Sequence, residues 1–216
     1  MRTYSQYCAV AKALDVLGDR WTLLIVRELL LSGPRRYTDL RNGLPGIATN
    51  LLADRLRELE EAGIVAREQA PPPVAATLFR LTPRGEAIRP VIDALFVWGI
   101  PYMVEGPASQ DVFRSSWLGG VAERFLTDVD PDGPPSTVEL RTQDETAVLE
   151  IAAGAVHAHV GDGTPADVTI SGDPHEILGV LSGLLELGEA RRRGLRVDGD
   201  ATVLDRLGAA ASPAPA

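Results

Sequence analysis

The segment YTDLRNGLPGIATNLLADRLRELEEAGIVAR, residues 37–67, decides the fold of the first half of this chain. It predicts a short helix, a tight turn, a longer helix and the start of a strand. Thr38 is the expected N-cap of the short helix, because its hydroxyl can accept a hydrogen bond from a free backbone N–H. The Gly-Leu-Pro-Gly sequence at residues 43–46 reverses the chain. The longer helix is expected from about Ala48 to Ala62, and Gly63 is a residue type that ends helices.

The longer predicted helix is amphipathic. Leu52, Leu56 and Leu59 recur at helical spacing and form one apolar stripe. The polar residues that point the opposite way are Asn50, Asp54, Arg57 and Glu61. A helix with a free polar N-terminal half, held by a shorter helix across a turn, suits the major groove of DNA. The pattern favours a helix-turn-helix, although spacing alone equally allows an αα-hairpin that only fills a core.

The flanking segments are typical of a winged domain. A first helix is predicted over Ala9–Leu17, and a second over Trp21–Leu31 is so apolar that it belongs at the centre of a domain. Two strands, residues 64–69 and 77–81, are expected to form a β-hairpin wing around the proline-rich segment between them. A last helix is expected over Pro83–Trp98, because proline is favoured at the first helical position.

The charge of the chain is unevenly divided between its two halves. The formal net charge is −9; residues 1–100 carry 13 Lys and Arg against 11 Asp and Glu, whereas residues 101–216 carry 8 against 19. This step predicts two domains, 1–100 and 112–208, followed by a frayed tail at 209–216. Because the second half is acidic, DNA contact is expected from individual arginines of the first half.

Composition argues against several classes of protein. Apolar residues make up 45% of the chain and charged residues 24%, which predicts a globular protein with a sizeable core. We expect a cytoplasmic location, because there is neither an 18-residue apolar run nor a signal-peptide pattern. Cys8 is the sole cysteine, so neither a disulfide framework nor a cysteine-based metal site is expected.

Catalytic and metal-binding patterns are also lacking in the sequence. His157 and His159 share one face of a predicted strand but have no third ligand nearby in sequence, and His175 is expected at the surface. We therefore predict no metal site. No Ser/His/Asp motif, phosphate-binding glycine loop or paired-carboxylate pattern stands out, so neither an enzyme nor a cofactor is expected.

The first half resembles the HxlR-type winged helix-turn-helix regulators, relatives of the MarR-like repressors, over about residues 7–99. The residues that carry the resemblance are Cys8, LGDRWTLLI (17–25), RYTDL (36–40), LPGI (44–47), LRELEEAGIV (56–65) and LTPRG (81–85). The resemblance implies a DNA-binding transcriptional regulator that acts as a homodimer on a palindromic operator of double-stranded DNA.

Candidate DNA contacts follow from the residue types. Thr49 and Asn50 begin the recognition helix and are the candidates for base edges, because asparagine reads adenine as arginine reads guanine. Arg57 lies on the same outer side, and Arg55 lies on the flank. The other candidates, mainly for phosphates, are Arg35, Arg36, Thr38, Arg41, Arg67 and Arg80. For any single arginine the alternative is a solvated surface charge. The wing tip has no basic residue, so insertion into the minor groove is not expected.

Two further features bear on regulation. A dimer must place its recognition helices about 34 Å apart, and the Ala9–Leu17 and Pro83–Trp98 helices are the expected dimer elements, unless they pack only within the monomer. Some members of the resembled family carry a cysteine near the position of Cys8 that senses electrophiles or oxidants. Cys8 is therefore a candidate redox switch, with Lys12 placed to favour the thiolate; the alternative is a small buried apolar residue.

The second half predicts a sheet covered by helices, which makes the whole chain α+β. A helix is expected over Ser115–Leu126, with Trp117, Leu118, Val121 and Phe125 on its apolar side. Alternating runs predict a mainly antiparallel sheet. The runs that read as strands are residues 136–142, 147–152, 155–160, 166–170 and 191–198; the other predicted elements are helices over residues 173–187 and 201–207.

This order resembles the sterol carrier protein type 2-like fold over about residues 112–208. The residues that carry the resemblance are ADVTISGD (166–173), LSG (181–183), GLRVDGD (194–200), Leu204 and Leu207. The resemblance implies an apolar cavity for a lipid-like or other hydrophobic molecule, with unknown lining residues. Such a cavity binds by burying apolar area, worth about 25 cal/mol per Å² before costs. The alternative is a filled core.

The sequence as a whole predicts a transcriptional regulator, with repression as the expected mode, whose second domain binds a hydrophobic effector. A first alternative is a carrier of lipid-like ligands that uses the winged domain to dimerise. A second is a redox sensor driven by Cys8, with an empty second domain.

Overall fold

The computed structural model describes residues 3–70, 76–103, 106, 111–113, 115–142, 146–161 and 163–210. The chain divides into two compact units, Met1–Glu105 and Gly106–Ala216, named here the N-terminal unit and the C-terminal unit. Each unit has its own cluster of buried apolar side chains. Among the helices described, none has both the length and the apolar character needed to cross a bilayer.

The N-terminal unit consists of helices and a small sheet. Its helices are α1 (Ala9–Leu17), α2 (Thr22–Ser32), α3 (Tyr37–Gly43), α4 (Thr49–Glu61), α5 (Pro83–Glu86) and α6 (Arg89–Gly99), followed by a 3-10 helix at Ile100–Met103. Its strands are β1 (Arg35–Arg36), β2 (Val65–Gln69) and β3 (Thr77–Leu81), in the order β1-β3-β2. β2 and β3 pair antiparallel from Val65 opposite Leu81 to Gln69 opposite Thr77, which confirms the predicted wing hairpin.

The core of this unit forms where α2, α3 and α4 meet. Ile25 of α2 and Leu52 of α4 are fully buried, and Leu40 of α3 is nearly so. The largely apolar sequence of α2 is thus explained by its position at the centre of the unit. The predicted stripe of α4 is confirmed, because Leu56 and Leu59 are buried beside Leu52.

The C-terminal end of α4 is closed by a Schellman motif, as its glycine predicts. Gly63 has a φ of +69°, which glycine adopts without steric cost. The Gly63 N–H donates to the Glu60 carbonyl, and the Ile64 N–H donates to the Leu59 carbonyl, both over 2.9 Å. This sharp stop sends the chain directly into β2.

Three local predictions in the N-terminal unit were wrong or incomplete. Thr38 does not cap α3: the N-cap is Arg36, whose N–H donates to the Asp39 carboxylate over 3.2 Å. The predicted helix Pro83–Trp98 is two helices, because Pro90 has no N–H to continue the hydrogen-bond ladder across the break. Strand β1 was not predicted, since a two-residue strand has no periodicity and depends on its pairing with β3.

The C-terminal unit is a mixed sheet with helices. Its helices are α7 (Ser115–Phe125), α8 (Pro174–Leu181) and α9 (Leu187–Arg192), with a 3-10 helix at Ala201–Arg206. Its strands are β4 (Leu126–Asp128), β5 (Ser136–Arg141), β6 (Thr146–Ala152), β7 (Ala155–Val160), β8 (Val168–Ser171), β9 (Arg196–Gly199) and β10 (Leu207–Ala209). The larger sheet has the order β7-β6-β5-β8-β9, in which β5 and β8 are parallel and the other neighbours antiparallel.

Helix α7 lies close against this sheet through small residues. A Cβ on Gly119 would lie 3.2 Å from the Ala158 Cβ and 3.5 Å from the Ala147 Cβ. The face of α7 that is buried contains Leu118 and Ala122. Of the predicted apolar side of this helix, Leu118 is buried, whereas Trp117, Val121 and Phe125 are half-buried.

Other C-terminal predictions need correction. The helix expected to reach Leu187 ends at Leu181, and the strand expected from residue 191 begins at Arg196 because residues 187–192 are helical. The β4–β10 pair was not predicted. It includes Ala209, and the Ala210 N–H donates to the Phe125 carbonyl over 2.8 Å, so the predicted frayed tail does not begin at residue 209. The rest of that tail, 211–216, and the wing tip, 71–75, lie outside the described residues.

A buried ion pair links the two ends of the C-terminal unit. The Arg206 guanidinium binds the Asp128 carboxylate in a bidentate manner, at 3.1 Å from Nε and 2.9 Å from Nη2. The Asp128 side chain is fully buried. Arg206 also donates to the carbonyls of Asp130 and Pro134 and to the Ser136 hydroxyl, so its donors are used. This network joins the start of β5 to the segment that leads into β10.

Candidate nucleic-acid interface

The short and long helices of the N-terminal unit are held in a fixed arrangement. The Tyr37 hydroxyl on α3 donates a 2.6 Å hydrogen bond to the Thr49 carbonyl in the first turn of α4. Between the two helices, Gly46 has a φ of +88° and the Ile47 N–H donates to the Leu44 carbonyl over 3.1 Å. These hydrogen bonds and the left-handed glycine hold the turn in one conformation, which fixes the angle between α3 and α4.

A close approach between α2 and α3 explains the first glycine of the turn. A Cβ on Gly43 would lie 2.3 Å from Glu28 Oε2, which no side chain could accommodate without movement of the packed carboxylate. Glu28 is buried, and its Oε1 lies 2.5 Å from Arg27 Nη2. Glycine at this position lets α3 lie directly on the central helix.

The outer edge of α4 is polar and accessible. Thr49, Asn50, Asp54 and Arg57 are all exposed, whereas the opposite face lies in the core. Neither the Thr49 hydroxyl nor the Asn50 amide makes a side-chain hydrogen bond within the described part of the chain. Arg57 is 63% exposed and forms a 3.2 Å ion pair with Asp54 one turn earlier. This edge has the size and polarity that a major groove admits.

Basic side chains lie at both ends of α3. Arg35 and Arg36 form β1, and Arg41 lies in the last turn of α3. Arg36 and Arg41 are exposed, while Arg35 is half-buried. Among the residues that the structure describes, none of the three has a carboxylate within ion-pair distance, so their charges are available to an external anion. Thr38 is also exposed on the first turn of α3, and its hydroxyl reaches Asp39 at 3.5 Å.

The predicted wing-base arginines both have carboxylate partners. Arg67 Nε lies 2.7 Å from Glu60 Oε1, and its guanidinium lies over the Phe79 ring at 5.2 Å. Arg80 Nε lies 2.8 Å from Glu68 Oε2. A DNA phosphate would have to replace a carboxylate at each of these positions.

Arg55 differs from the other predicted DNA contacts. Its side chain is 18% exposed, and its Nη1 binds both the Asp19 and the Glu58 carboxylates. The structure therefore directs Arg55 toward the body of the unit, whereas the spacing on α4 placed it at the flank of the interface.

Comparison with known proteins matches residues 16–106 to a family described as HxlR-like helix-turn-helix. The chain is 34% identical over 92 residues to the uncharacterized HTH-type transcriptional regulator YvaP of Bacillus subtilis. The aligned segment covers 43% of this chain and 84% of YvaP. The chain belongs to the HxlR-like helix-turn-helix family.

Other HxlR-like relatives match the same half. An uncharacterized HTH-type transcriptional regulator of Synechocystis is 36% identical over 44% of this chain and 70% of its own length. The HTH-type transcriptional regulator YodB of Bacillus subtilis is 33% identical over 44% of this chain and 83% of its own length. These relatives are transcriptional regulators and not enzymes. The family match ends at residue 106, so the C-terminal unit lies outside it.

The structure explains a landmark of the HxlR resemblance, the LTPRG sequence at residues 81–85. The Thr82 hydroxyl donates to the Gly63 carbonyl over 2.6 Å and accepts from the Gly85 N–H over 3.2 Å. A Cβ on Gly85 would lie 2.3 Å from the Ile64 carbonyl oxygen. This motif therefore anchors α5 against the C-terminal end of α4. Sequence inspection located the motif but not its partner, which lies 19 residues earlier.

Apolar side chains are exposed on two helices of the HxlR-like unit. Helix α6 has 11 residues and buries none of them, whereas isolated helices of fewer than about 12–15 residues are marginal in water. Val10, Ala13 and Leu14 of α1 are likewise exposed. The large apolar residues exposed on α1, α6 and the following 3-10 helix are Val10, Leu14, Val91, Leu95, Val97, Trp98 and Tyr102.

Cys8 is exposed at the N-cap of α1, which is contrary to the alternative of a buried apolar cysteine. No side-chain hydrogen bond caps the helix there, but the N–H groups of Ala11 and Val10 at the helix N-terminus lower the pKa of Cys8. Lys12 does not contribute as predicted, since its Nζ lies 3.5 Å from the Asp15 carboxylate.

The two histidines considered as metal ligands, His157 and His159, each contact a different carboxylate. His157 Nδ1 lies 3.3 Å from Glu123, and His159 Nε2 lies 3.2 Å from Glu150. The His175 N–H donates to Asp173 at the start of α8. Within the described ranges no three metal-ligating side chains come together.

Proposed function

We propose that this protein binds a palindromic operator as a homodimer and regulates transcription, with α4 inserted in the major groove. The observation that carries the proposal is the exposed polar edge at Thr49 and Asn50, which Tyr37 joins to α3. Arg36 and Arg41, at the two ends of α3, are exposed and have no carboxylate partner among the described residues. Asn50 and Thr49 read base edges, since an amide can pair with adenine in a bidentate manner. Arg35, Arg36, Thr38 and Arg41 bind phosphates and set the register.

The remaining candidate contacts take a lesser part in this proposal. Arg57 reaches DNA by leaving its solvent-exposed pair with Asp54, which is weak. Arg67 and Arg80 contact the backbone only if a phosphate replaces Glu60 or Glu68. The wing is therefore a secondary contact, and the region around α3 and α4 provides most of the affinity.

The homodimer is supported by the helices that the N-terminal unit leaves uncovered. No residue of α6 is fully buried in the described part of its own chain, although Ile92 packs against the core. Packing against a second copy would therefore add stabilisation to this short helix. Val91, Leu95 and Trp98 of α6, with Val10 and Leu14 of α1, offer the apolar side chains for such an interface. A two-fold dimer also places two copies of α4 on successive major-groove faces.

For the C-terminal unit we propose a hydrophobic effector that shifts the dimer between DNA-binding-competent and incompetent arrangements. Two facts are consistent with this: the unit has its own sheet and core, and it lies outside the HxlR-like match. The sterol carrier-like resemblance suggests the ligand class. In the alternative carrier function, ligand binding would be the main activity and the winged unit would serve only to dimerise.

A second candidate function rests on Cys8. The Cys8 thiol is exposed at a helix N-terminus and has a lowered pKa. Cysteines in such an environment react readily with oxidants and electrophiles. The position of Cys8 on α1, the helix with the open apolar face, would couple modification to the proposed dimer interface. In this version the C-terminal unit needs no ligand.

A gel-shift titration with the DNA upstream of the protein's own operon tests the regulator proposal. We expect wild type to bind, and Asn50→Ala to lose about 10- to 100-fold on the operator with little change on unrelated DNA. Glu61→Gln, at the other end of α4, is the matched control and should bind like wild type. Equal binding of operator and unrelated DNA by wild type would exclude sequence-specific recognition.

Mass spectrometry of hydrophobic molecules that co-purify with the full chain separates the regulator from the carrier. A molecule that alters the gel shift when added back supports an effector. A bound molecule in a protein that binds no DNA supports the carrier.

A further inference from the structure

Arg55 of α4 sits between two carboxylates from different parts of the N-terminal unit. Its Nη1 binds Asp19, in the turn between α1 and α2, and also Glu58, one turn further along α4. Asp19 lies 36 positions away in sequence. This contact links the turn after α1 to the middle of the helix proposed to read DNA.

The Arg55 side chain is less exposed than that of an arginine available to DNA. It is 18% exposed, whereas Arg57 on the outer edge is 63% exposed. Its Nε is buried and has no hydrogen-bond partner among the described residues. A buried N–H without a hydrogen-bond partner costs folding free energy. An arginine side chain that was free to turn toward solvent would expose this N–H to water and avoid that cost. The two carboxylates therefore hold the guanidinium in place.

The turn that contains Asp19 is held by its own hydrogen bonds. The Gly18 N–H donates to the Leu14 carbonyl over 2.8 Å and completes the last turn of α1, of which Gly18 is the C-cap. The Thr22 N–H donates to the Asp19 carbonyl, and Trp21 caps α2 with a φ of +79°, an uncommon conformation for a bulky residue. The Arg20 guanidinium lies over the Trp21 ring. A carboxylate on such a turn provides a fixed point for a partner helix.

We propose that Arg55 is a positioning residue that sets the orientation of α4 through Asp19, and that it does not contact DNA. This inference rests on the proposed operator binding and refines it. α4 is then anchored at three places: Thr49 by Tyr37, Arg55 by Asp19, and Gly63 by Thr82. Because Asp19 lies in the turn directly after α1, a shift of α1 reaches the DNA-reading helix through this pair.

The substitution Asp19→Asn separates positioning from direct contact. If Arg55 bound phosphate, removing the nearby negative charge would leave affinity unchanged or raise it. If Arg55 positions α4, Asp19→Asn and Arg55→Gln each weaken operator binding about tenfold, and the double variant is no weaker than either single variant. Because no phosphate contact is lost, the salt dependence keeps its slope, whereas loss of a direct contact reduces the slope by about 0.9.

Arg57→Gln is the positive control on the same helix: because Arg57 is a proposed direct DNA contact, its loss should reduce the salt slope by about 0.9. Thermal unfolding checks that each variant is folded at the assay temperature. A reduced salt slope in Arg55→Gln, together with undiminished affinity in Asp19→Asn, overturns the proposal. So does a double variant whose loss equals the product of the two single losses.

A measurement without DNA keeps the inference testable if operator binding itself fails. We expect amide hydrogen exchange of the full chain to become faster at residues 49–53 and at residues 18–22 in both Asp19→Asn and Arg55→Gln, with no such change in Arg57→Gln. Unchanged exchange at both segments would show that the pair does not hold α4. Absence of DNA binding in wild type would reject the proposed function without altering this result.

Discussion

The Tyr37 hydroxyl donates a 2.6 Å hydrogen bond to the Thr49 carbonyl and thereby joins the start of α3 to the start of α4. Thr49 and Asn50 follow directly on this contact, so the ring of Tyr37 helps to determine where the proposed base-reading side chains lie. Tyr37 also packs against the core that contains Leu40 and Leu52. The same residue thus belongs to the core and to the interface.

Tyr37→Phe keeps the packing of the ring and removes the hydrogen bond. We expect the free energy of unfolding to fall by about 1 kcal/mol, the usual net value of one hydrogen bond. Operator affinity should also fall a few-fold, because the first turn of α4 loses its hydrogen bond to α3. Urea unfolding and gel-shift titration measure the two effects. Tyr4→Phe, at an exposed tyrosine, is the control; equal effects of both substitutions would contradict the anchoring role.

Arg36→Ala removes an exposed charge that has no carboxylate partner among the described residues. As a phosphate contact, Arg36 should contribute to binding of all sequences, so affinity is expected to fall similarly on operator and unrelated DNA. The slope of log affinity against log salt should become shallower by about 1. Arg84→Ala, which removes an exposed charge on α5, controls for net charge. If the affinity and the slope both stay at wild-type values, α3 does not dock on the backbone.

Leu95→Asp and Trp98→Asp place a charge on the uncovered face of α6. In the proposed dimer this charge would be buried, so we expect dissociation to monomers at concentrations where wild type is dimeric. Sedimentation velocity gives the oligomeric state, and the gel shift should show weaker operator binding. Val129→Asp adds a charge at an exposed apolar residue of the C-terminal unit and should leave the dimer intact. A monomeric wild type would exclude this dimer.

The Asp128–Arg206 pair predicts how stability depends on pH. The hydrogen bonds from Arg206, followed by the Asp130 and Gly154 N–H groups, hold the pKa of Asp128 below its ordinary value of 3.8. A depressed folded-state pKa contributes stability that is complete above the ordinary value and is lost as the pH falls through the folded-state pKa. We therefore expect Asp128→Asn to flatten the acid side of the stability profile.

Arg206→Met tests the same pair from the other side. It leaves the buried Asp128 carboxylate without its cation, and we expect the free energy of unfolding at neutral pH to fall by about 3 kcal/mol or more. Urea unfolding of the full chain measures this change and the pH profile. Asp132→Asn, at an exposed carboxylate in the neighbouring turn, should change neither quantity substantially. An unaltered acid limb in Asp128→Asn would refute the linkage.

Cys8 should react as a thiolate at lower pH than an ordinary cysteine, because its pKa is lowered from 9.0 by the N–H groups of Ala11 and Val10. The rate of alkylation, measured against pH, should reach its half-maximal value below pH 9.0. Labelling of wild type should also change operator affinity, and Cys8→Ser should be insensitive to the reagent. Normal DNA binding by the fully labelled protein would remove the redox-sensor candidate.

Residues that are close in sequence determined the elements of this protein. The leucine stripe of α4, its termination at Gly63 and the start of α8 at Asp173-Pro174 follow from local periodicity and capping, because neighbouring backbone and side-chain groups satisfy one another within a few residues. The exposed polar edge of α4 follows from the same periodicity. The interruption between α5 and α6 also has a local cause, because Pro90 lacks the N–H that a continuous helix needs.

Only the tertiary structure decided which distant groups meet. β1 forms because it pairs with β3, and β4 pairs with β10 at the other end of its unit. The clearest case is Arg55, which the helical spacing placed at the flank of the candidate interface and which binds Asp19, 36 residues earlier. Periodicity tells which face of a helix is polar, but the partner of a charge depends on which turn the packing brings beside it, and that information lies in the folded core.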